Sequence, residues 1–333
     1  MKIQNFNTSK KIFLIAEIGN NHEGSFSLAK KLILLAKKNG ADAVKFQYIK
    51  PEKLVHPKTD PKRLKILKKF CLSLDQFKKL RQYSINIGII FLSSVFDTDE
   101  VKLFSKILPA FKVASGDNDN IPYINKLIEY KKPILISMGM KSAKEIKKLI
   151  SELKKNKLID LKKLCLMHCV SNYPLENKDV NMLKINELKI FTCEVGYSDH
   201  TIGIDACLVA ASLGARVIEK HFTISHNYSK FRDHLLSATP KELKILSTKL
   251  ETYNEILGSN TKNITKSEKR NIKGNRRGIY LKSNLKKNHK LKFSDLIFLR
   301  PQGKLSLSDL NKILGKRLKK DLNKFSEINN KVI

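Results

Sequence analysis

The chain has no tryptophan, and its five cysteines are poorly placed for cross-linking. Cys71, Cys165, Cys169, Cys193 and Cys207 form no Cys-x-x-Cys pair and fall mostly in apolar runs. That argues against a zinc framework and for reduced core thiols in a cytoplasmic protein. No apolar run approaches the roughly 20 residues of a membrane span. The run at residues 12–18 is short and carries Glu17, so a signal peptide is not expected either. Acidic residues are scarce, with 31 Asp and Glu against 65 Lys and Arg and a formal net charge of +34. An excess of that size points first to nucleic acid. Here it is nearly all lysine, spread over helix faces such as Lys30, Lys31, Lys37 and Lys38. No helix-turn-helix, zinc-finger or aromatic RNA-binding signature accompanies it. Nucleic-acid binding is therefore not expected, whereas electrostatic steering of small anionic substrates is.

What the chain does have is alternation. Continuously apolar, β-rich runs occupy residues 13–18, 43–49, 88–96, 110–114, 133–138, 164–170, 191–197 and 215–221. Lysine-rich amphipathic stretches separate them, for example at 28–38, 75–83, 143–154, 204–213 and 241–256. Runs apolar on both parities suit parallel strands buried on both faces. Eight β-α units in about 250 residues predict an α/β TIM (β/α)8 barrel over residues 1–257. An open doubly wound sheet is the alternative, disfavoured because no Gly-x-Gly-x-x-Gly opens the first helix. Residues 258–273 are polar, with little apolar periodicity, and read as a linker. In residues 274–333 a phrase near 281–287 recurs at 318–324, which predicts a small, pseudo-duplicated β-rich domain.

In such a barrel, polar residues at the strand C-termini converge on one mouth. His200 and His221 each follow a β-like run, flanked by Asp199 and Glu219, with one helical stretch between them. Two imidazoles at neighbouring strand ends can hold a divalent metal, or one can act as an acid–base group. Lys45 and Lys112 lie within apolar strands, where a buried ammonium is costly unless an anion pairs with it. With Ser93, Ser94, Ser115, Ser137 and Ser198 they suggest a site for phosphate and carboxylate. Glu17, Gln47, Asp117 and Tyr173 end other runs. His22 and His168 read as structural, and His56, His226 and His289 as surface residues. His234 and Asp233 fall in the loop past the eighth run, and Arg276-Arg277 open the small domain.

Several phrases resemble the sialic acid synthase family. They are Ala16-Glu17-Ile18-Gly19-Asn20-Asn21-His22-Glu23-Gly24, Lys45-Phe46-Gln47 and Lys112-Val113-Ala114-Ser115-Gly116-Asp117. Gly196-Tyr197-Ser198-Asp199-His200-Thr201 and Glu219-Lys220-His221-Phe222-Thr223 complete the barrel motifs. In the tail, Arg276-Arg277, Arg300-Pro301 and Leu314-Gly315-Lys316 resemble that family's antifreeze-like (SAF) domain. The resemblance implies condensation of phosphoenolpyruvate with an N-acetylated amino sugar, with N-acetylmannosamine as the leading acceptor and N-acetylneuraminate as product. A diacetamido-trideoxyhexose, giving legionaminic or pseudaminic acid, is the close rival. The resemblance also implies Mn2+, or Mg2+ or Co2+, on His200 and His221, and a domain-swapped homodimer. Ser93, Lys112, Ser115, Ser137 and Ser198, with Lys45, would grip phosphoenolpyruvate. Gln47, Tyr173, Asp233 and Arg277 would face the sugar, and Glu17, Asp117 and Lys45 would form the catalytic set. Asp117 stands where many relatives have glutamate, and Gly278 where serine is common. A Schiff-base aldolase using a strand lysine, or a non-catalytic carbohydrate-binding protein, would be a different class of answer.

Overall fold

In the computed structural model, which describes residues 1–191, 194–258 and 261–333, every expected apolar run becomes a strand. They are β1 (Phe13–Gly19), β2 (Ala43–Tyr48), β3 (Ile90–Val95), β4 (Phe111–Val113), β5 (Ile134–Ser137), β6 (Leu164–His168), β7 (Glu194–Asp199) and β8 (Val217–His221). Thr192 and Cys193 of the seventh run lie outside the described residues. Each strand runs parallel to the next, and β8 pairs with β1, Val217 opposite Phe13 and His221 opposite Glu17. That last ladder closes the sheet into a TIM barrel and excludes the open doubly wound alternative.

Side chains alternate between the two faces of a strand, and the core divides accordingly. Phe13, Ile15, Ile90, Leu92, Leu135 and Met167 fill the barrel interior. Leu14, Ala16, Phe91, Ile134 and Leu166, on the other parity, pack outward against helices. The main helices are α1 (Phe26–Lys38), α2 (Pro61–Phe70), α3 (Leu74–Asn86), α4 (Val101–Ile107), α5 (Ile121–Ile128), α6 (Ala143–Lys154), α7 (Lys184–Leu188), α8 (Asp205–Ser212) and α9 (Pro240–Leu257).

Helix α6 shows where the lysines go. A reciprocal capping box between Ser142 and Glu145 starts it. Its inner stripe buries Ile146, Leu149, Ile150 and Leu153, while Lys144, Lys147, Lys148 and Lys154 stay in water. Each buried aliphatic contributes about 1.5–3 kcal/mol, so Leu149→Ala alone should cost about 2–5 kcal/mol once its cavity is counted. The positive excess is thus partly a set of solvated helix faces.

At the N-terminal end of the barrel, a hairpin of Lys2–Ile3 with Phe6–Asn7 covers the interior. Ile3 is fully buried and Phe6 packs on Phe13 with ring centroids 4.7 Å apart. The opposite mouth carries the long loops. Residues Met1–Gly258 form one compact unit, and the rest of the chain forms a second.

Within that second unit, β9 (Gly278–Leu281) pairs antiparallel with β10 (Leu296–Leu299) over a core that includes Ile279, Leu291, Ile313 and Ile328. The repeated phrases meet each other: Leu285 and Leu322 exchange two backbone hydrogen bonds of 2.9 Å. A helix, α10 (Lys266–Asn275), capped by Thr265, occupies part of the stretch expected as linker and buries none of its residues. Among the described residues, no helix is long and apolar enough to cross a membrane.

Candidate active site

Above the apolar layers of the barrel interior, the inward parity turns polar. Glu17 follows Phe13 and Ile15 on β1, Lys45 and Gln47 follow Ala43 on β2, and Glu219 follows Val217 on β8. Lys45 Nζ lies 2.8 Å from Glu17 Oε2 and 3.8 Å from Glu219 Oε2. Lys112 Nζ donates to Ser137 Oγ at 2.7 Å and lies 3.7 Å from Glu219 Oε1. Gln47 donates to Glu17 Oε1 at 3.0 Å, and Ser198 donates to Glu219 Oε1 at 3.0 Å. Two ammonium groups and two carboxylates therefore share one buried cluster.

Their environments separate the two acids. Burial pushes Glu17 up, and the nearby Glu219 charge adds to this; Lys45 opposes it without cancelling it. Burial also acts on Glu219, but Lys112, Lys45, the Ser198 hydroxyl and His200 together hold it below the ordinary carboxylate value. Lys45 is held above its usual value because Glu17 and Glu219 outweigh burial, whereas burial dominates at Lys112 and lowers it. Carboxyl groups pushed apart in this way can divide acid and base roles between them.

Of the serines, Ser137 and Ser198 join this cluster directly. Ser115 follows β4 and accepts from the Gly139 N–H at 3.2 Å. A Cβ at Gly139 would come within 2.6 Å of both the Ser115 and Ser171 hydroxyls, so the absent side chain keeps that corner open. Ser93 is a correction. A strand can turn only one of two adjacent serines inward, and the parity of Leu92 gives that place to Ser94, opposite Lys112. The Ser93 hydroxyl instead donates to Ser94 O at 2.9 Å and accepts from Tyr48 N–H at 3.2 Å.

His200 and His221 come together, with ring centroids 5.5 Å apart and Tyr173 4.0 Å from the His200 ring. His200 Nδ1 lies 2.7 Å from the Val170 carbonyl and donates to it, which leaves Nε2 as the lone-pair nitrogen of the neutral ring. Burial opposes charge on His200, but Cys169, 3.8 Å away, and the Val170 carbonyl raise it above the usual value. His221 lies well below, through burial and its neighbours His200 and Lys45, and its buried Nδ1 has no hydrogen-bond partner. An unpartnered imidazole nitrogen beside a second lone pair suits a divalent metal. Among the described residues, no group of three or more His, Cys, Asp or Glu is placed to hold one. Two protein nitrogens would leave the other positions to substrate and water.

The expected flanking carboxylates differ in fate. Glu219 faces inward, but Asp199 faces outward, fully buried, in a 2.6 Å ion pair with Lys220. Asp199 also accepts from Tyr197 OH, Thr201 N–H and Thr201 OH, while Lys220 donates to the Thr201 carbonyl at 2.6 Å. This clamp fixes the residues just beside both histidines.

A cleft of about 950 Å³ opens above the cluster. Gln47, Ser115, Asp117, Tyr173, His221 and Asp233 line it. Burial, with Asp119 adding, raises Asp117; burial also raises Asp233, with Arg232 opposing at 3.2 Å. The Arg232 guanidinium lies 4.9 Å from the Tyr173 ring centroid. Arg277 belongs to the C-terminal unit, exposed just before β9. His234 bridges Thr223 Oγ1 at 2.6 Å and Glu23 Oε1 at 3.0 Å, tying the loops after β8 and β1 together. His168, on the outward parity, contacts the Val180 carbonyl at 2.7 Å, as a structural histidine should.

Cys169 and Arg232 are not legible as site residues in the sequence, and Glu219 and Ser94 are legible there only as strand-end residues, without the roles that the geometry gives them. For Glu219 a signal existed: it stands two residues before His221 on a strand, and so shares its face. For Arg232 there was none, because its position depends on loop geometry.

The NeuB family matches residues 32–262 of the chain. N,N'-diacetyllegionaminic acid synthase of Campylobacter jejuni is 37% identical over 321 residues, covering 92% of this chain and 96% of that protein. Human N-acetylneuraminate-9-phosphate synthase is 36% identical over 276 residues, covering 77% and 74% respectively. Among solved structures, N-acetylneuraminic acid synthetase from Leptospira borgpetersenii, in complex with citrate, superposes with a TM-score of 0.74 at 31% identity. It covers 82% of this chain and 94% of that one.

Proposed function

The chain belongs to the NeuB family of nonulosonic acid synthases, and from that premise we propose that it condenses phosphoenolpyruvate with an N-acylated amino sugar and water, releasing phosphate. The observation that carries the reading is the buried Glu17–Lys45–Glu219–Lys112 cluster beside His200 and His221. Lys45, Lys112, Ser115, Ser137 and Ser198 supply positive charge and donors for the phosphate and carboxylate of phosphoenolpyruvate. Gln47, Tyr173 and Asp233 face the sugar. A divalent ion, Mn2+ by first choice or else Mg2+ or Co2+, on His200 and His221 would supply Lewis-acid polarisation of the sugar aldehyde.

The enol carbon forms a bond to the aldehyde carbon, whose oxygen takes a proton and becomes a hydroxyl. Positive charge develops at the carbon bearing the phosphate ester. Water adds there, and its proton passes to Glu17, which burial has made more basic than an ordinary carboxylate. Asp117 is the other acid–base candidate. Breaking the carbon–oxygen bond to phosphate then yields the keto acid and inorganic phosphate. Lys45 orients Glu17 and stabilises the departing anion.

In the same reading residues 274–333 are an antifreeze-like (SAF) domain, and a domain-swapped homodimer brings Arg277 to the partner's sugar; the enzyme works in the cytoplasm. The exposure of Arg277 supports its availability. Turnover in 18O-labelled water tests the bond cleaved. Released phosphate should carry no label, since its bridging oxygen comes from phosphoenolpyruvate. Label in the phosphate would mean attack at phosphorus and would overturn the reading. One observation favours a Schiff-base aldolase: burial lowers Lys112. A borohydride-stable pyruvate adduct on Lys112 would support that class instead.

A further inference from the structure

The cleft has an apolar wall that the proposed chemistry does not use. It comes from α2, which is inserted with its flanking loops between β2 and α3. Arg63, Ile66, Leu67 and Phe70 of α2 line the cleft, at the i, i+3, i+4, i+7 spacing of a single helical stripe. Phe70 is the only buried residue of that helix, and its ring meets Phe231 edge-on at 5.1 Å. Ile66 remains 52% exposed, an apolar side chain standing open at the cleft. Leu54, Phe96 and Met140 extend the surface. The C-terminal end of α2 is seated on the barrel at Gly24. With φ of +82°, that residue admits the Lys69 carbonyl where a Cβ would come within 2.4 Å.

The reacting end of the acceptor must reach His221 and the strand ends at the cleft floor. Its remote end therefore lies toward the α2 wall. A hexose with a full set of hydroxyls would press some of them against Ile66, Leu67 and Phe70, losing hydrogen bonds to water without replacement. A methyl group and a second acetamido methyl would be buried favourably there. Arg63 and Lys230 also line the cleft, but both are exposed, and a terminal phosphate near them would still face that apolar stripe.

Resting on the condensation proposed above, we propose that the acceptor is a diacetamido-trideoxyhexose and that Ile66, Leu67 and Phe70 read its deoxygenated end. This replaces N-acetylmannosamine, the leading acceptor from sequence.

The test compares kcat/KM for phosphate release from phosphoenolpyruvate with four acceptors. They are N-acetylmannosamine, its terminal phosphate ester, and diacetamido-trideoxyhexoses of the two configurations that lead to legionaminic and pseudaminic acid. At least one of the latter should exceed both mannosamine compounds by about tenfold or more, the discrimination typical of a methyl-sized difference in an apolar site. Ile66→Asn and Leu67→Gln, each separately, should shrink that ratio about threefold or more, through the sugar KM. If N-acetylmannosamine or its phosphate is used equally well or better, the inference is overturned while the condensation stands. If phosphoenolpyruvate binds by calorimetry but no acceptor releases phosphate, the condensation falls and takes the inference with it.

Discussion

Lys220→Met removes one half of an ion pair whose two side chains are both 0% exposed. Methionine keeps most of the lysine's length, so the change chiefly deletes charge. It leaves the Asp199 carboxylate buried against Tyr197 and Thr201, without the ammonium 2.6 Å away. Breaking a buried pair on one side typically costs about 3–5 kcal/mol, far more than the ~0–1 kcal/mol of an exposed pair. For a unit of this size that corresponds to a fall in Tm of roughly 6–20 °C. The assay is urea and thermal unfolding of wild type, Lys220→Met, Asp199→Asn and the double variant. The double variant should lose less than the sum of the singles, with a coupling of at least about 2 kcal/mol, as expected for residues in direct contact. The variant should also bind Mn2+ more weakly, because Lys220 holds the Thr201 carbonyl in the loop that carries His200. A loss below about 1 kcal/mol, or additive singles, would refute the clamp.

Four further outcomes follow from the same structure. Glu219→Gln should lower the rate of phosphate release by about 100-fold or more with the fold intact by circular dichroism, because both lysines lose a shared carboxylate. Ser93→Ala should cost about 1 kcal/mol of stability and leave the phosphoenolpyruvate KM nearly unchanged, while Ser94→Ala should raise that KM, as steady-state kinetics would show. The pH–rate profile should have its acid limb above the ordinary carboxylate range. Glu17 must be ionised to accept a proton and burial raises it, so activity is complete above its raised pKa and lost as pH falls through it; an acid limb at or below pH ~4 would contradict the assignment. His221→Ala and His200→Ala should each weaken Mn2+ binding by about 100-fold or more in calorimetry, and unchanged affinity would remove the metal from the account.

The barrel was legible because each of its strands is buried on both faces and so reads as an unbroken apolar run. The same continuity hid the strand parity. In an unbroken run nothing marks which residues turn inward, so Ser93 and Ser94 read alike, as do Asp199 and Glu219 beside their histidines. Register decides both cases, since Ser94 lies opposite Lys112, His221 opposite Glu17, and Lys220 opposite Asp199. The lysines at positions 45 and 112 were readable because a charge inside an apolar strand requires a partner. Helix α2 was not. Its lysines resemble those of every solvated helix in the chain, and only its place above the barrel mouth gives Ile66 and Leu67 a meaning. In the C-terminal unit the repeated phrase was visible, but not that its two copies would pair with each other through Leu285 and Leu322.

Phosphate release from phosphoenolpyruvate by metal-stripped protein, measured with and without Mn2+ and with and without an N-acylated amino sugar, reads out the condensation itself. Release is expected only when metal and sugar are both present, with sugar consumed and phosphate formed in equal amounts. Phosphate release that needs no sugar, or that persists at full rate after the metal is removed, would contradict the proposed reaction.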